Sequence, residues 1–288
     1  MAGDPGPLVR RRLISNCLRF YREQAGINAR NAAERILSDP SKITRLEKGQ
    51  RGISARDVRD LCEVYGVPEN VRTELMSLVQ GVRTREWWQS ADLSTALQTL
   101  IAMEGSAEAI SEFEVIGIPG FLQTREYAEA ILDLWIPDDS TRRKSAIDAR
   151  LRRREFFDSD SAPTIRVVLD EAAIHRVVGG PQVMRGQLER LASDVANNGV
   201  DLRVIPFTAG AHLGISNGFT VLEISNPPAF PEEIPNPGFV YLELSSGSSY
   251  LDDPEDVDQH LATFRYLRSV ALSVDESIDM VHNAARMM

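Results

Sequence analysis

The chain has 288 residues, 43% hydrophobic and 26% charged, the balance of an ordinary globular protein large enough for two domains. No apolar run reaches membrane-spanning length, and no apolar stretch follows the arginines of MAGDPGPLVRRR, so neither a membrane span nor a signal peptide is expected and the chain reads as cytoplasmic. The net charge of −10 is unevenly placed: residues 1–85 hold 16 Lys and Arg against 10 Asp and Glu, while residues 86–288 hold 16 against 32. A basic module on an acidic body suits a reader of nucleic acid, because neutralised phosphates supply most of the affinity.

Residues 1–9, rich in Gly and Pro, read as a disordered tail. From Arg10 to about Ala25 the residues Ile14, Leu18, Tyr21 and Ala25 share one helical face, and Gly26 ends the helix. Asn28 caps a second helix carrying Ala32, Ala33 and Ile36. Asp39 caps a third, with Pro40 at its first position, where a missing N–H costs nothing. Ile43 and Leu46 turn inward, which leaves Ser41, Lys42, Thr44, Arg45 and Lys48 on other faces before Gly49 stops the helix. Ser54 caps a fourth helix with Asp57 three residues on, a capping-box pair. Its inward face is Val58, Leu61, Cys62 and Tyr65. Pro68 opens a fifth helix with Val71, Leu75, Leu78 and Val79. Cys17 and Cys62 are too few for a disulfide framework and read as buried reduced thiols.

Five short helices over residues 10–80, the third capped and basic, describe a helix-turn-helix domain. Its Ser41–Gly49 stretch, SKITRLEKG, resembles the third helix of the Xre-type, lambda-repressor-like regulators, close to SKISRIENG. That resemblance implies double-stranded DNA as a partner, with Arg30, Ser41, Lys42, Thr44, Arg45, Lys48 and Arg51 as candidate contacts. Three positions depart from the family pattern. Ala29 and Pro40 stand where glutamines clamp a phosphate and read a base edge, and Leu37 stands where the turn has a glycine. Losing two amides removes groups that add to affinity and readout.

Residues 81–162 read as a helical linker region. Trp87 and Trp88 stand together as an inter-domain packing anchor. Helices are expected near Ser94–Glu104 and Thr124–Leu134, with an extended segment and a Pro119-Gly120 turn in EFEVIGIPGFLQT between them. The arginine-rich helix over 141–157 reads as a solvated face bonded to nearby acids, with a second phosphate-contacting surface as the alternative.

From Pro163 the pattern changes. Strands are expected at Ile165–Asp170, Asp201–Phe207, Gly218–Ile224 and Phe239–Leu244, with a helix after Gly179-Gly180-Pro181. Strand, helix, strand is the βαβ spacing, so the first two strands should be parallel. A Pro-rich loop follows the third strand, and helices follow at about 254–272 and from Ser273. The fold class is therefore a mainly α helix-turn-helix domain plus an α/β domain with a mixed sheet, over 163–288. IPGFLQT with Tyr127-Ala128, LDEAAI, VGGPQVM, RVIPF with AGAH, and YLDDPEDV resemble the C-terminal domain of a large actinobacterial group of Xre-type regulators, often labelled antitoxin-like. This implies a regulator, and often a small partner protein encoded nearby. The layout also resembles the phospholipase-D-like fold, without its His-x-Lys motif.

No phosphate loop, dinucleotide fingerprint or HExxH is present, and His175, His212, His260 and His282 form no metal-ligand spacing, so no cofactor, metal or catalytic residue is expected. Gly179-Gly180-Pro181 reads as a plain turn before an anion site. Ligands of open α/β sheets bind beyond the carboxyl ends of strands. That rule gathers Asp170, Glu171, Phe207 and His212 into a candidate effector pocket, with Glu243 or Tyr250 nearby. The leading expectation is a sequence-specific DNA-binding transcriptional regulator. Its acidic domain dimerises through an apolar last helix and senses a small molecule or a partner protein. The alternative is a small-molecule-binding protein or enzyme that keeps a helix-turn-helix domain of reduced competence.

Overall fold

The computed structural model describes residues 6–81, 91–159, 162–244 and 247–288. Two compact units emerge: residues 1–86 with the 224–237 loop, and residues 87–223 with 238–288. Trp87 and Trp88 lie outside the described residues.

The first unit holds α1 (Gly6–Gln24), α2 (Ala29–Arg35), α3 (Pro40–Glu47), α4 (Ala55–Tyr65) and α5 (Glu69–Gln80). Its core is Val9, Leu13, Ile14, Cys17, Leu18, Ile43, Leu46, Val58, Leu61 and Leu75, all buried. Because Val9 packs into that core, α1 begins at Gly6, ahead of the first periodic position, and residues 6–9 are helical where a tail was expected. Both cysteines are free and buried, and burial pushes the Cys62 thiol up to about 11, away from the thiolate that reacts. Phe230 and Ile234 of the 224–237 loop are buried as well.

The second unit is built on a six-stranded sheet in the order β3-β2-β1-β4-β5-β6. The strands are β1 (Ala107–Glu114), β2 (Thr164–Asp170), β3 (Asp201–Ile205), β4 (Phe219–Ile224), β5 (Gly238–Leu244) and β6 (Gly247–Leu251). β1, β2 and β3 are parallel neighbours, whereas β4–β5 and β5–β6 are antiparallel, so the sheet is mixed. The helices are α6 (Thr95–Glu104), α7 (Arg125–Trp135), α8 (Ser140–Phe157), α9 (Glu171–His175), α10 (Pro181–Asn198), α11 (Pro254–Val270) and α12 (Val274–Met287). α7 and α8 make the β1-to-β2 crossover; α9 and α10 make the β2-to-β3 crossover. Phe113, Val168, Ile205, Phe219, Val221 and Val240 pack with Val257, Phe264 and Leu267 of α11 on one face of the sheet. The outer edge of β3 is covered: the Val204 N–H donates to Ser277 Oγ (2.9 Å), and its carbonyl accepts from the Leu272 N–H (2.9 Å).

Three expectations need correction. The stretch 81–162, expected to be a helical linker with an extended segment from Glu112, supplies β1, which begins at Ala107 and lies between β2 and β4 inside the sheet. Its AEAISEFE has carboxylates at Glu108, Glu112 and Glu114, so it lacks the apolar run that marks an interior strand. β6 was not expected either, since GSSYL has no apolar alternation. Finally, the arginines of α8 are bonded to nearby acids as expected, but only part of them form a solvated face: Arg142 and Arg152 are exposed, whereas others turn inward. Arg153 forms a buried pair with Glu104, Arg154 pairs with the buried Asp194, and Arg143 pairs with Asp133 at 2.8 Å. These three are counter-ions for acids of the same domain.

Candidate nucleic-acid interface and strand-end cluster

The position of α3 is set by caps and by one buried network. Asp39 accepts the Ser41 N–H (2.7 Å), and Ser41's hydrogen bonds hold the Asp39 carboxyl below its usual value. At the other end Arg22 donates from Nε to both Glu47 oxygens (2.9 and 2.8 Å), and the Tyr65 hydroxyl donates to Glu47 Oε1 (3.0 Å). The Ser15 hydroxyl donates to the Leu46 carbonyl (2.6 Å). Glu47 is thus the joint that locks α3 onto α1 and α4. Its sequence signal is only an acid inside SKITRLEKG, which does not mark it as buried.

Of the candidate DNA contacts, Ser41, Thr44, Arg45, Lys48, Arg51 and Arg30 are exposed. Arg45 lies back along α3, donating to the Ser41 carbonyl (3.2 Å) and hydroxyl (3.3 Å). The Thr44 hydroxyl donates to the Pro40 carbonyl (3.1 Å), and Arg30 pairs with Glu34 at 3.2 Å on an open surface. Lys42 is placed differently. Its ammonium sits 2.5 Å from Asp57 Oδ1, and the pair is half-buried. Burial alone would raise the Asp57 carboxyl, but hydrogen bonds from Lys42 and Ser54 outweigh it and hold the group below its usual value. The capping acid of α4 therefore takes the charge that the sequence assigned to DNA.

At the carboxyl ends of β2 and β3 the structure brings four expected residues together. Asp170 Oδ1 accepts the Ala172 N–H that opens α9 (2.8 Å), and Oδ2 lies 3.1 Å from His212 Nε2. The His212 side chain is only 4% exposed, with its ring edge against Phe113. Glu171 accepts the Phe207 N–H (2.6 Å) and stands 3.3 Å from His175, whose ring stacks on Phe207. Gly214 lets the loop close here, since a Cβ there would lie 2.2 Å from the Phe113 ring. The polar atoms of Asp170 and Glu171 are engaged in fastening the loop. Beside them a cleft of about 350 Å³ opens between α9 and α12, walled by Glu171, His175, Glu276, Asp279 and Met280.

Glu243 and Tyr250 are not part of that cluster. They lie on β5 and β6, across the sheet from β2 and β3, and Tyr250 donates to the Ala96 carbonyl. Their surroundings are polar and went unnoticed in the sequence. Arg153 donates from Nε and Nη2 to both Glu104 oxygens (2.7 and 2.5 Å), and both side chains are buried. Burial, then the neighbouring Glu114, raises Glu112 well above the usual carboxylate range. Burial and Glu243 push Glu114 up to about 7, and burial with Arg153 pushes Arg150 down to about 10. The signal available was the alternation of acids with Phe113 in EFE, matched by arginines in the following helix.

Among the described residues, no group of three or more His, Cys, Asp or Glu is arranged to hold a metal ion, and no helix is long and apolar enough to cross a membrane. Residues 14–75 match the family described as a helix-turn-helix domain, and residues 97–283 match the family described as a domain of unknown function (DUF5753). No curated protein and no solved structure matches the chain, which leaves the likeness to the phospholipase-D-like fold without support.

Proposed function

The chain belongs to the family defined by the domain of unknown function DUF5753 and carries a helix-turn-helix domain ahead of it, and on that premise we propose that it is a sequence-specific DNA-binding transcriptional regulator. Its acidic C-terminal domain, in this reading, dimerises and senses a small molecule or a partner protein. The observation that carries the reading is α3: a capped helix, locked from behind by Glu47, presenting Ser41, Thr44, Arg45 and Lys48 outward. A recognition helix needs that combination of rigid seating and exposed polar side chains. The charge split supports it, since the acidic body repels DNA and leaves the basic module as the contact.

The test is enrichment of genomic fragments on the full-length protein, followed by titration of an enriched sequence. Arg45→Ala is expected to weaken binding by about 1–3 kcal/mol and to relax base choice. Arg51→Ala is expected to weaken all sequences alike. Lys42→Ala should act mainly through stability, because its ammonium is held by Asp57. Absence of any enriched sequence would overturn the reading. The alternative would then take its place: a ligand-binding protein or enzyme whose helix-turn-helix domain, with Ala29, Pro40 and a committed Lys42, has lost competence for DNA.

A further inference from the structure

The loop that leaves β3 carries large apolar side chains outward. Phe207, Leu213 and Ile215 are each more than half exposed, and so is Ile116 on the loop that leaves β1. Val177, two residues after the His175 that stacks on Phe207, is exposed as well. Because β1, β2 and β3 are parallel neighbours, all three loops leave the same edge of the sheet. Single exposed apolar residues need no explanation, but a cluster on one edge marks a surface for binding.

The β3 loop is pinned along its length. Glu171 accepts the Phe207 N–H, the Ala209 N–H donates to the Pro206 carbonyl (2.8 Å), and the Ile215 N–H donates to the His212 carbonyl (3.2 Å). Between these ties the His212 ring is buried against Asp170 and Phe113, and Gly214 closes onto the same Phe113 ring. Buried His212 and Gly214 alternate with exposed Leu213 and Ile215. A buried histidine–carboxylate pair thus holds two branched apolar side chains in water, where they add nothing to the core. Side chains fixed before contact lose little entropy on binding, and such pre-ordering favours recognition.

This patch borders the cleft between α9 and α12, because Glu171 and His175 both wall the cleft and hold Phe207. The cleft adds Met280 and Met287, and methionine adapts its shape to its partner. Its acids are Glu171, Glu276 and Asp279, and no Lys or Arg is among the described residues that wall it. An apolar centre with an acidic side complements a partner of positive charge. A second copy of the chain would set an equally acidic domain against it, and an anionic membrane would be repelled by the same carboxylates. We propose that this edge of the sheet docks a cationic, amphipathic segment of another protein. Its apolar side chains pack on Phe207, Leu213 and Ile215, and a Lys or Arg side chain enters the cleft towards Glu276 and Asp279. The proposal rests on the partner-sensing half of the function proposed above, and it supplies the chemistry of that partner.

The experiment uses the full-length protein without DNA. Random peptides displayed on phage are selected on it, and the affinities of the enriched peptides are measured by fluorescence anisotropy. Peptides that join Lys or Arg to large apolar residues are expected. The double variant Leu213→Ser with Ile215→Ser should weaken their binding at least about tenfold. Asp279→Lys should weaken it by a factor that shrinks as salt is raised. All three side chains are exposed, so these variants keep the fold, and Asp279→Lys carries the test even if the double variant is unstable. The proposal is overturned if no peptide is enriched, if the enriched peptides lack cations, or if neither variant changes their binding. It is also overturned if spermidine, a cation without apolar side chains, competes as strongly as the peptides. If the double variant halves the mass of the protein in solution, a second copy is the occupant and the proposal fails. Since no DNA is present, such a failure leaves the operator assay untouched, and the reverse also holds.

Discussion

Leu37 shows how much one residue can depart from its local rule. It is the only non-glycine among the described residues with positive φ, at 52°, and its side chain is 95% exposed. An L-residue in the left-handed region costs roughly 1–2 kcal/mol, and here no burial offsets it. Leu37→Gly is expected to raise the unfolding free energy by about 1 kcal/mol after the extra chain entropy of glycine is subtracted. Urea denaturation measures this, and a loss of stability would contradict it. The turn itself was legible, because a residue in that place between two short helices is where the fold needs a glycine. Glu47 was not legible, since an acid in a cationic helix has no sequence mark that distinguishes a buried joint from a surface charge.

Elements whose signals are local were legible nearly to their ends. Asn28, Asp39, Ser54, Thr124 and Ser273 all cap helices with their side chains. β2 to β5 were legible from runs of β-branched and aromatic residues. β1 was legible only at its end, from Glu112, because Glu108, Glu112 and Glu114 interrupt the apolar pattern of Ala109, Ile110 and Phe113. The pairing of acids with α8 arginines can be tested at the Glu104–Arg153 pair, which joins α6 to α8. Both side chains are buried, so removing one leaves an uncompensated charge. Glu104→Ala and Arg153→Ala are each expected to cost about 3–5 kcal/mol, while replacing both by apolar residues of similar volume should recover much of that loss. Urea unfolding of the two single variants and the double variant decides it. If the double variant loses the sum of the single losses, the two groups do not act as a pair.

At the scale of the whole molecule the charge division becomes a prediction about assembly and salt. A single helix-turn-helix module reaches few bases, so useful specificity calls for two copies on a two-fold site, with their α3 helices about 34–36 Å apart, one turn of DNA. Each module brings its own cationic surplus, whereas the acidic bodies of two protomers repel DNA and each other. In the proposed dimer the surface is expected to come from apolar contact rather than charge. The exposed Leu134 and Trp135 at the end of α7 add to the apolar residues outside the core, beyond the last helices that the sequence suggested. The mass at micromolar concentration should be twice the 32.0 kDa chain, with and without DNA. Raising salt should then act in opposite directions: it screens the repulsion between bodies and favours the dimer, while it weakens DNA binding by a slope of about one unit of log affinity per unit of log salt for each phosphate contacted. A monomer that binds its enriched sequence with a salt slope of only one or two contacts would show that one module acts alone, and the two-fold arrangement would have to be abandoned.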